Sequence, residues 1–358
     1  MNRLVFSNGV WTSIVVSSIL QNKMSNEDNN FLCGYFKNSL ESLREHNFSF
    51  AKSLIPYKHS INFLDYKKLF FFNAKQFKED LYNIEINEIY LPVNSTTCKR
   101  YKVLKKIYPS ANFYFYEEGL MSYIKPLIDR KLRKIMAKTT NYYLLYKPSI
   151  HDFLKNNCKH IVFTQIDKSS LLSIIALSNS KMNLETIEQD PNKKYALILP
   201  QYYYENKLHK LNKLIFQYKD HIESLIQEGY IVLFKDHPKA KNSFYHSLSA
   251  CFSEKDFILL TNSSKYPVEI LINSMKIDVV FSVYSTSLFT LKYLFAKKTF
   301  TSIKMLEYRM NLLSIYPYLS CAFTMQFIDN IDTLHNKNIV ARKKILYNRY
   351  YKLIKYFT

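Results

Sequence analysis

Short apolar runs alternate with longer amphipathic segments along most of the chain, which is the pattern of β-strands that alternate with helices. In the second half, residues 195–199, 230–234 and 277–281 are largely apolar runs of five residues. Such runs are typical of a parallel sheet that helices cover on both faces. A helix predicted over 208–228 ends before Gly229 and joins the first two runs into a β-α-β unit. The pattern predicts a doubly wound α/β sheet.

The first half shows the same alternation, with a strand over 4–7, a helix over 10–21 and a strand over 112–116. A basic helical segment over 120–138 contains Pro126, which predicts a kink or a break at that residue. The other strands of this half are predicted over residues 31–35, 61–64, 84–93, 142–146 and 160–164. The first half therefore predicts a second sheet of the same class.

Residues 181–194 are the most polar and least patterned stretch in the middle of the chain, and we place a domain boundary there. We predict an N-terminal Rossmann-like domain over 1–185 and a C-terminal Rossmann-like domain over 190–330, with parallel sheets that face a central cleft. Residues 331–358 are predicted to form a basic helix. Its apolar stripe either packs back across the two domains or lies on anionic lipid.

The amino-acid composition argues against several classes of protein and of binding site. Four glycines permit neither a Walker A loop nor a G-x-G-x-x-G fingerprint, which argues against P-loop and NAD chemistry. Five scattered cysteines without a C-x-x-C pair favour a reducing compartment, with no disulfide frame and no structural zinc. No apolar run approaches the roughly 18 residues of a membrane span. We interpret residues 10–20 as part of the first β-α unit, not as a signal peptide.

The formal net charge is +21, from 50 lysines and arginines against 29 acids. Such a field attracts polyanions, acidic membrane surfaces and nucleotide-linked substrates. An AT-rich genome would enrich Lys, Asn, Tyr, Ile and Phe together without functional pressure. The net charge alone therefore does not identify the binding partner.

Candidate chemistry follows the predicted strands, and in open α/β sheets ligands bind beyond the carboxyl ends of strands. The strand over 112–116 is followed by Glu117 and Glu118. Side chains alternate between the faces of a strand, so only one of the two carboxylates is expected to enter a cleft. A carboxylate with a raised pKa suits a general base. The alternative is a chance pair of surface acids.

The strand over 230–234 leads to His237 and Pro238. Proline restricts the preceding residue to extended geometry, which holds the imidazole at the strand tip. A histidine there can hydrogen-bond a phosphate or protonate a leaving group. An ordinary surface turn is the alternative.

Three hydroxyl residues, Ser285, Thr286 and Ser287, stand where a predicted helix begins, and helix N-termini present free N–H groups to anions. One such residue is more commonly a plain N-cap. Glu269 opens the preceding helix and is suited either to accept hydrogen bonds from ribose hydroxyls or to complement the helix dipole. We expect all these strand ends to face the same cleft.

The order Glu-Glu-Gly, then His-Pro, then a Ser/Thr pair resembles the bacterial sialyltransferases of the GT-B type, in particular capsule polysialyltransferases and lipooligosaccharide sialyltransferases. The resemblance implies CMP-sialic acid as donor, no cofactor, no metal, and a nucleotide held mainly by the second domain, with the first domain on the acceptor side. It also implies that Glu117 or Glu118 is the base, with Glu117 preferred, and that His237 faces the CMP phosphate as acid. Ser285 and Thr286, with Ser287 beside them, would bind phosphate, and Glu269 the ribose.

The expected function is therefore inverting transfer of sialic acid to a hydroxyl of a capsule or lipooligosaccharide glycan. The expected partners are a nucleotide-sugar donor, a glycan acceptor and an anionic membrane surface, without nucleic acid. We expect a cytoplasmic protein, peripheral at the inner face of the bacterial inner membrane. Two alternatives stay open, namely a GT-B enzyme with another nucleotide sugar and a non-enzymatic basic protein that binds membranes or nucleic acid.

Overall fold

The structure is a computed structural model in which two compact units cover Met1–Ser178 and Asn179–Phe357. Each unit contains one parallel sheet. The structure describes residues 1–23, 29–34, 41–62, 77–79, 81, 83–94, 97–119, 122–123, 126, 129–138, 141–146, 162–182, 187–200, 208–237, 243–260, 265–283, 285–302 and 329–330.

The first unit contains a seven-stranded sheet in the order β3-β2-β1-β4-β5-β6-β7, with every described pair parallel. Its strands are β1 (Asn2–Ser7), β2 (Asn29–Gly34), β3 (His59–Asn62), β4 (Glu88–Pro92), β5 (Asn112–Tyr116), β6 (Asn141–Leu144) and β7 (Val162–Gln165). The described helices that follow β1, β2, β4, β5 and β7 are α1 (Val10–Gln21), α2 (Glu41–Leu54), α3 (Thr97–Ile107), α4 (Arg130–Met136) and α5 (Lys168–Ser180).

The chain leaves β1 towards β2 and β3 on one side and returns as β4 on the other side of β1. The direction of winding therefore reverses between β1 and β4. This topological switch point is where open α/β sheets bind ligands, because the connections diverge there and leave a crevice.

A buried carboxylate joins the first residues of this sheet. Glu88 accepts hydrogen bonds from Arg3 Nε at 2.8 Å and from the hydroxyls of Tyr90 and Tyr114 at 3.0 Å each. Burial opposes its ionisation, but these hydrogen bonds and the Arg3 charge hold the pKa of Glu88 below its usual value. The rings of Tyr90 and Tyr114 stack with centroids 4.8 Å apart. The start of the sheet is thus stabilised by a satisfied polar cluster.

The second unit contains a six-stranded parallel sheet in the order β10-β9-β8-β11-β12-β13. Its strands are β8 (Lys194–Ile198), β9 (Tyr230–Phe234), β10 (Phe257–Leu259), β11 (Val279–Phe281), β12 (Lys298–Thr301) and β13 (Asp329–Asn330). The described helices are α6 (Leu208–Gln227), α7 (Ser243–Ser249), α8 (Val268–Leu271), which continues as a 3₁₀ turn (Ile272–Ser274), and α9 (Thr286–Phe295). Its switch point lies between β8 and β11.

The predicted doubly wound architecture is confirmed in both units, but several elements differ from expectation. In the segment 120–138, α4 begins only after Asp129, whose side chain caps it by accepting from the N–H groups of Lys131 and Leu132. The kink or break predicted at Pro126 involves neighbours outside the described residues. The strand predicted over 84–93 begins only at Glu88.

Two helices, α5 and α7, were not predicted. The predicted helix over 331–358 lies outside the described residues. None of the described helices combines the length and the apolar character that crossing a membrane requires.

Candidate active site

The carboxylate of Glu117 is buried and hydrogen-bonded within the first unit. Its N–H donates to the carbonyl of Tyr143, and its side chain is only 1% exposed. Oε2 accepts hydrogen bonds from the hydroxyl of Tyr123 and from the N–H of Leu145, the latter at 2.8 Å. Glu117 thereby ties the segment after β5 to the end of β6, and its carboxylate does not face solvent.

Glu118 has a different environment. The residue is partly exposed, and its N–H donates to Ser122 Oγ at 2.7 Å. Burial of the carboxylate raises the pKa of Glu118, whereas a hydrogen bond from Asn94, the charge of Arg100 and a hydrogen bond from Asn8 act in the opposite direction. Oε2 is buried and accepts no hydrogen bond from any described residue. A carboxylate with a raised pKa and a spare oxygen is suited to take a proton.

The turn between β1 and α1 presents Asn8 to this carboxylate. Thr12 Oγ1 accepts from the N–H groups of Asn8 and Gly9, both at 2.9 Å, and donates to the carbonyl of Gly9 at 2.8 Å. Arg100 on α3 donates from Nη1 to Asn8 Oδ1 at 3.0 Å. The turn is therefore fixed from both sides, at the switch point of the first sheet.

In the second unit, the end of β9 is largely buried. Lys235 donates its N–H to the carbonyl of Ile198 at 3.0 Å, and its side chain is 6% exposed. Asp236 is also buried, and its Oδ1 accepts from the N–H of His237 at 2.8 Å. His237 is partly exposed at the strand tip, as expected. Pro238 lies outside the described residues.

Glu269 and Lys235 are oppositely charged groups of one buried cluster. Burial lowers the pKa of Lys235 to about 8, and the charges of Glu269 and Asp236 oppose that shift. Glu269 is 3% exposed and accepts a hydrogen bond from the hydroxyl of Thr290 on α9. It joins the start of α8 to α9, and its predicted contact with ribose stays a prediction.

The three hydroxyl residues stand at the beginning of α9. Ser285 is the N-cap, and its Oγ accepts from the N–H of Ser287 at 3.2 Å. Thr286 and Ser287 are partly exposed in the first turn. Ser282, at the end of β11, donates from Oγ to the carbonyl of Leu199 at 2.6 Å. Ser285 thus caps α9, which begins beside the switch point of the second sheet, and its predicted contact with phosphate stays a prediction.

The comparison with protein families decides the assignment. The model of the family described as alpha-2,8-polysialyltransferase (POLYST) matches residues 3–304. The chain belongs to the alpha-2,8-polysialyltransferase family. It is therefore a sialyltransferase, and the resemblance inferred from the Glu-Glu-Gly and His-Pro motifs is confirmed.

Solved structures agree on the fold of this family member. It is similar to the S. aureus MnaA–UDP co-structure, with 12% identity and a TM-score of 0.56 over 84% of this chain and 79% of that chain. It is also similar to UDP-GlcNAc 2-epimerase from Neisseria meningitidis bound to UDP-GlcNAc, with 12% identity and a TM-score of 0.52 over 84% and 82% of the two chains. The predicted GT-B fold is confirmed. No curated protein matches the chain.

The structure groups the predicted site residues of this polysialyltransferase family member within each unit. In the first unit it separates Glu117 from Glu118. In the second, His237 follows β9, whereas Ser285, Thr286 and Ser287 follow β11, with β8 between these strands. The single cleft and the absence of a metal stay predictions. Among the described residues no cluster of three or more His, Cys, Asp or Glu side chains is suited to hold a metal ion.

Four polar residues near these sites were missed as site residues: Asn8, Asn94, Arg100 and Lys235. Asn8 and Asn94 follow β1 and β4, so the strand-end rule that selected Glu118 points to them as well. Arg100 gave no signal, because one arginine in a basic helix looks like a solvated charge. Lys235 is adjacent to the His-Pro motif, but its burial is not visible in the sequence.

Proposed function

We propose that this chain transfers sialic acid from CMP-sialic acid to a hydroxyl of a sialylated bacterial surface glycan, capsule or lipooligosaccharide, and forms an α2,8 linkage. The family assignment supports the transferred sugar and the linkage. The proposed reaction inverts the anomeric carbon and requires neither metal nor cofactor. The observation that carries the proposal is Glu118, a carboxylate with a raised pKa and an oxygen without a described partner, at the switch point of the first sheet.

In the proposed step, Glu118 takes the proton of the acceptor hydroxyl. The acceptor oxygen then forms a bond with the anomeric carbon of sialic acid, and the bond from that carbon to the phosphate oxygen breaks. CMP leaves with the electron pair of the broken bond. A single displacement of this kind inverts the anomeric carbon. We propose Glu118 as the base in place of Glu117, which the sequence had favoured, because burial raises the pKa of Glu118 whereas Glu117 is held by Tyr123 and Leu145.

The second unit is proposed to hold the donor. His237 faces the departing phosphate as donor or acid, and the N–H groups at the start of α9, with Thr286 and Ser287, hydrogen-bond the phosphate oxygens. Pro238 restricts the backbone of His237. Glu269 positions α9 through Thr290, and its contact with the ribose would form when nucleotide binds.

Two neighbouring substitutions test the base. Glu118→Gln should lower transfer from CMP-sialic acid by about a hundredfold or more, because a general base contributes on that order. Glu117→Gln should retain transfer within about tenfold at low temperature, because the carboxylate that it removes supports the fold without touching substrate. The measurement is CMP release and acceptor elongation, with circular dichroism to establish folding. Transfer at the wild-type rate by folded Glu118→Gln would reject this role.

We further propose that the chain acts in the cytoplasm, at the inner face of the bacterial inner membrane. The net charge of +21 supports attraction to anionic lipid. Binding to phosphatidylglycerol vesicles measures this property.

A further inference from the structure

We propose that Arg100 is a positioning residue for the general base, which orients the amide of Asn8 towards Glu118 and supplies the positive charge that keeps this carboxylate ionised at neutral pH. The inference rests on the proposed function, because it takes Glu118 as the base. Arg100 lies on α3, away from the Glu-Glu-Gly motif in sequence, and it acts through Asn8 and Glu118.

The burial of Arg100 separates it from the other basic residues of its helix. Its side chain is 3% exposed, whereas Lys99, Lys102 and Lys106 on the same helix are exposed. Removing a guanidinium from water is costly unless the protein compensates its charge. The guanidinium carbon lies 6.0 Å from the ring centroid of Phe6, at the end of β1. A helix that needed only solubility would have no reason to direct this cation into the unit.

Hydrogen bonds connect Arg100 to Asn8 and Asn8 to Glu118. Arg100 donates from Nη1 to Asn8 Oδ1 at 3.0 Å, and an amide whose oxygen accepts this bond has its NH₂ group free to donate to a carboxylate. Glu118 accepts from the Asn8 side chain. The Asn8 backbone is held independently by Thr12, whose Oγ1 accepts from its N–H at 2.9 Å. Arg100 therefore sets which face of the Asn8 amide Glu118 meets.

A second amide completes the support of Glu118. Asn94 also donates to this carboxylate, and its N–H is anchored by Thr97 Oγ1 at 2.7 Å. Thr97 Oγ1 in turn donates to the carbonyl of Pro92 at 2.9 Å. Asn94 carries no charge, so the cation of Arg100 is the component of this support that stabilises the ionised carboxylate electrostatically.

The other titratable groups near Arg100 and Glu118 do not supply a positive charge in place of Arg100. Burial raises the pKa of Tyr116 on β5 and of Cys33 on β2, so both are neutral at physiological pH. Glu117 is buried and its carboxylate accepts from Tyr123 and Leu145. Burial raises the pKa of Glu118, and the charge of Arg100 acts against that rise. A base must be ionised at the working pH while keeping affinity for the proton, and burial favours the second requirement whereas the charge of Arg100 favours the first.

The test is the pH dependence of transfer. Arg100→Gln should shift the acidic limb of the kcat/KM profile to higher pH by about one unit, on the scale of a carboxylate that loses a neighbouring cation. Its rate should approach that of the wild type in alkaline buffer. Arg100→Lys keeps a cation, so the acidic limb of its profile should lie close to the pH of the wild-type limb. Lys102→Gln removes an exposed charge from the same helix and should leave the limb in place.

A second variant covers the outcome in which Arg100→Gln does not fold. Asn8→Ala, at a partly exposed turn, should shift the limb in the same direction by less. If Arg100→Gln folds, the double variant Asn8→Ala/Arg100→Gln should shift the acidic limb no more than Arg100→Gln alone, because the two residues act on Glu118 through the same series of contacts. Rates lowered equally at every pH, in Asn8→Ala or in Arg100→Gln, would overturn the inference. Normal transfer by Glu118→Gln would instead overturn the proposed function.

Discussion

Glu117 and Glu118 are the same residue type one position apart, and their environments give them opposite properties. Glu117 is satisfied by Tyr123 and Leu145, so its carboxylate stabilises the fold. Burial raises the pKa of Glu118, so its ionised form is less favourable in the folded chain than in the unfolded chain. Function at this site is therefore expected to cost stability.

Unfolding experiments on the two Gln variants measure this difference. Glu118→Gln should increase the free energy of unfolding at pH 7 by about 1 kcal/mol, because it removes a carboxylate that burial disfavours. The increase in the free energy of unfolding should be complete above the raised pKa of Glu118 in the folded chain. It should disappear below the pKa of Glu118 in the unfolded chain, because the carboxyl is then protonated in both states. Urea titrations at several pH values measure it. A constant gain across the pH range would contradict the explanation.

The matched variant Glu117→Gln should lower the free energy of unfolding by about 1–3 kcal/mol, because the Gln amide cannot accept every hydrogen bond that the Glu117 carboxylate accepts. Equal effects of the two variants would show that their environments are energetically alike.

At the residue scale, the sequence predicted the Glu-Glu pair but did not show how the environments of its two members differ. Alternation along a strand predicted that only one carboxylate would be accessible. The two environments differ because of Tyr123, six residues after Glu117, and Leu145, whose N–H reaches Glu117 only when β6 pairs with β5.

At the element scale, the start of α9 combines capping with proposed phosphate binding. Ser285→Ala should cost about 1 kcal/mol of stability through loss of the N-cap, and it should weaken CMP binding because the first N–H groups are less well aligned. The measurement is the increase in Tm caused by CMP, compared with that caused by UDP and GDP.

The control for this prediction is Asp129→Ala, which removes the N-cap of α4 in the first unit. It should lose similar stability and keep the full response to CMP. An undiminished response in Ser285→Ala would separate the cap from the nucleotide site, and a stronger response to UDP than to CMP would contradict the proposed donor.

Strongly patterned elements were predictable from sequence, and weakly patterned ones were not. The bounds of α1, β5 and β9 match expectation, because apolar runs with clear stops define them, and α9 begins where a helix was predicted. Helix α5 was missed, since its serine-rich segment lacks a charged face. Its start signal was nevertheless present, because Asp167 Oδ2 accepts from the N–H of Ser170 at 2.7 Å, as an N-cap does.

At the scale of the whole molecule, the net charge of +21 leads to a prediction about membranes. The chain should sediment with vesicles that contain phosphatidylglycerol and not with pure phosphatidylcholine vesicles. The bound fraction should fall steeply between 50 mM and about 500 mM salt, because salt screens exposed charges. Binding to neutral vesicles that is insensitive to salt would contradict an electrostatic attachment.

Both units have a sheet that reverses its winding beside the first strand, and in both the candidate residues follow central strands. The class of fold and the placement of Glu118 beyond β5 and His237 beyond β9 were therefore predictable from strand order and strand-end chemistry. The supporting shell was not, because Arg100, Asn8 and Asn94 meet Glu118 only when three separate segments fold together.

The pairing of β5 has a chemical consequence. Tyr116 pairs with Pro92 of β4 on one side and with Tyr143 of β6 on the other, so two neighbouring strands fix the position of β5 along its own axis. If β5 slid by a single residue, every side chain on it would exchange faces. Glu117 would then turn outward and Glu118, the proposed proton acceptor, would turn inward, although no atom of either side chain had changed. The hydrogen-bond ladder of this strand is thus what tells two identical residues apart.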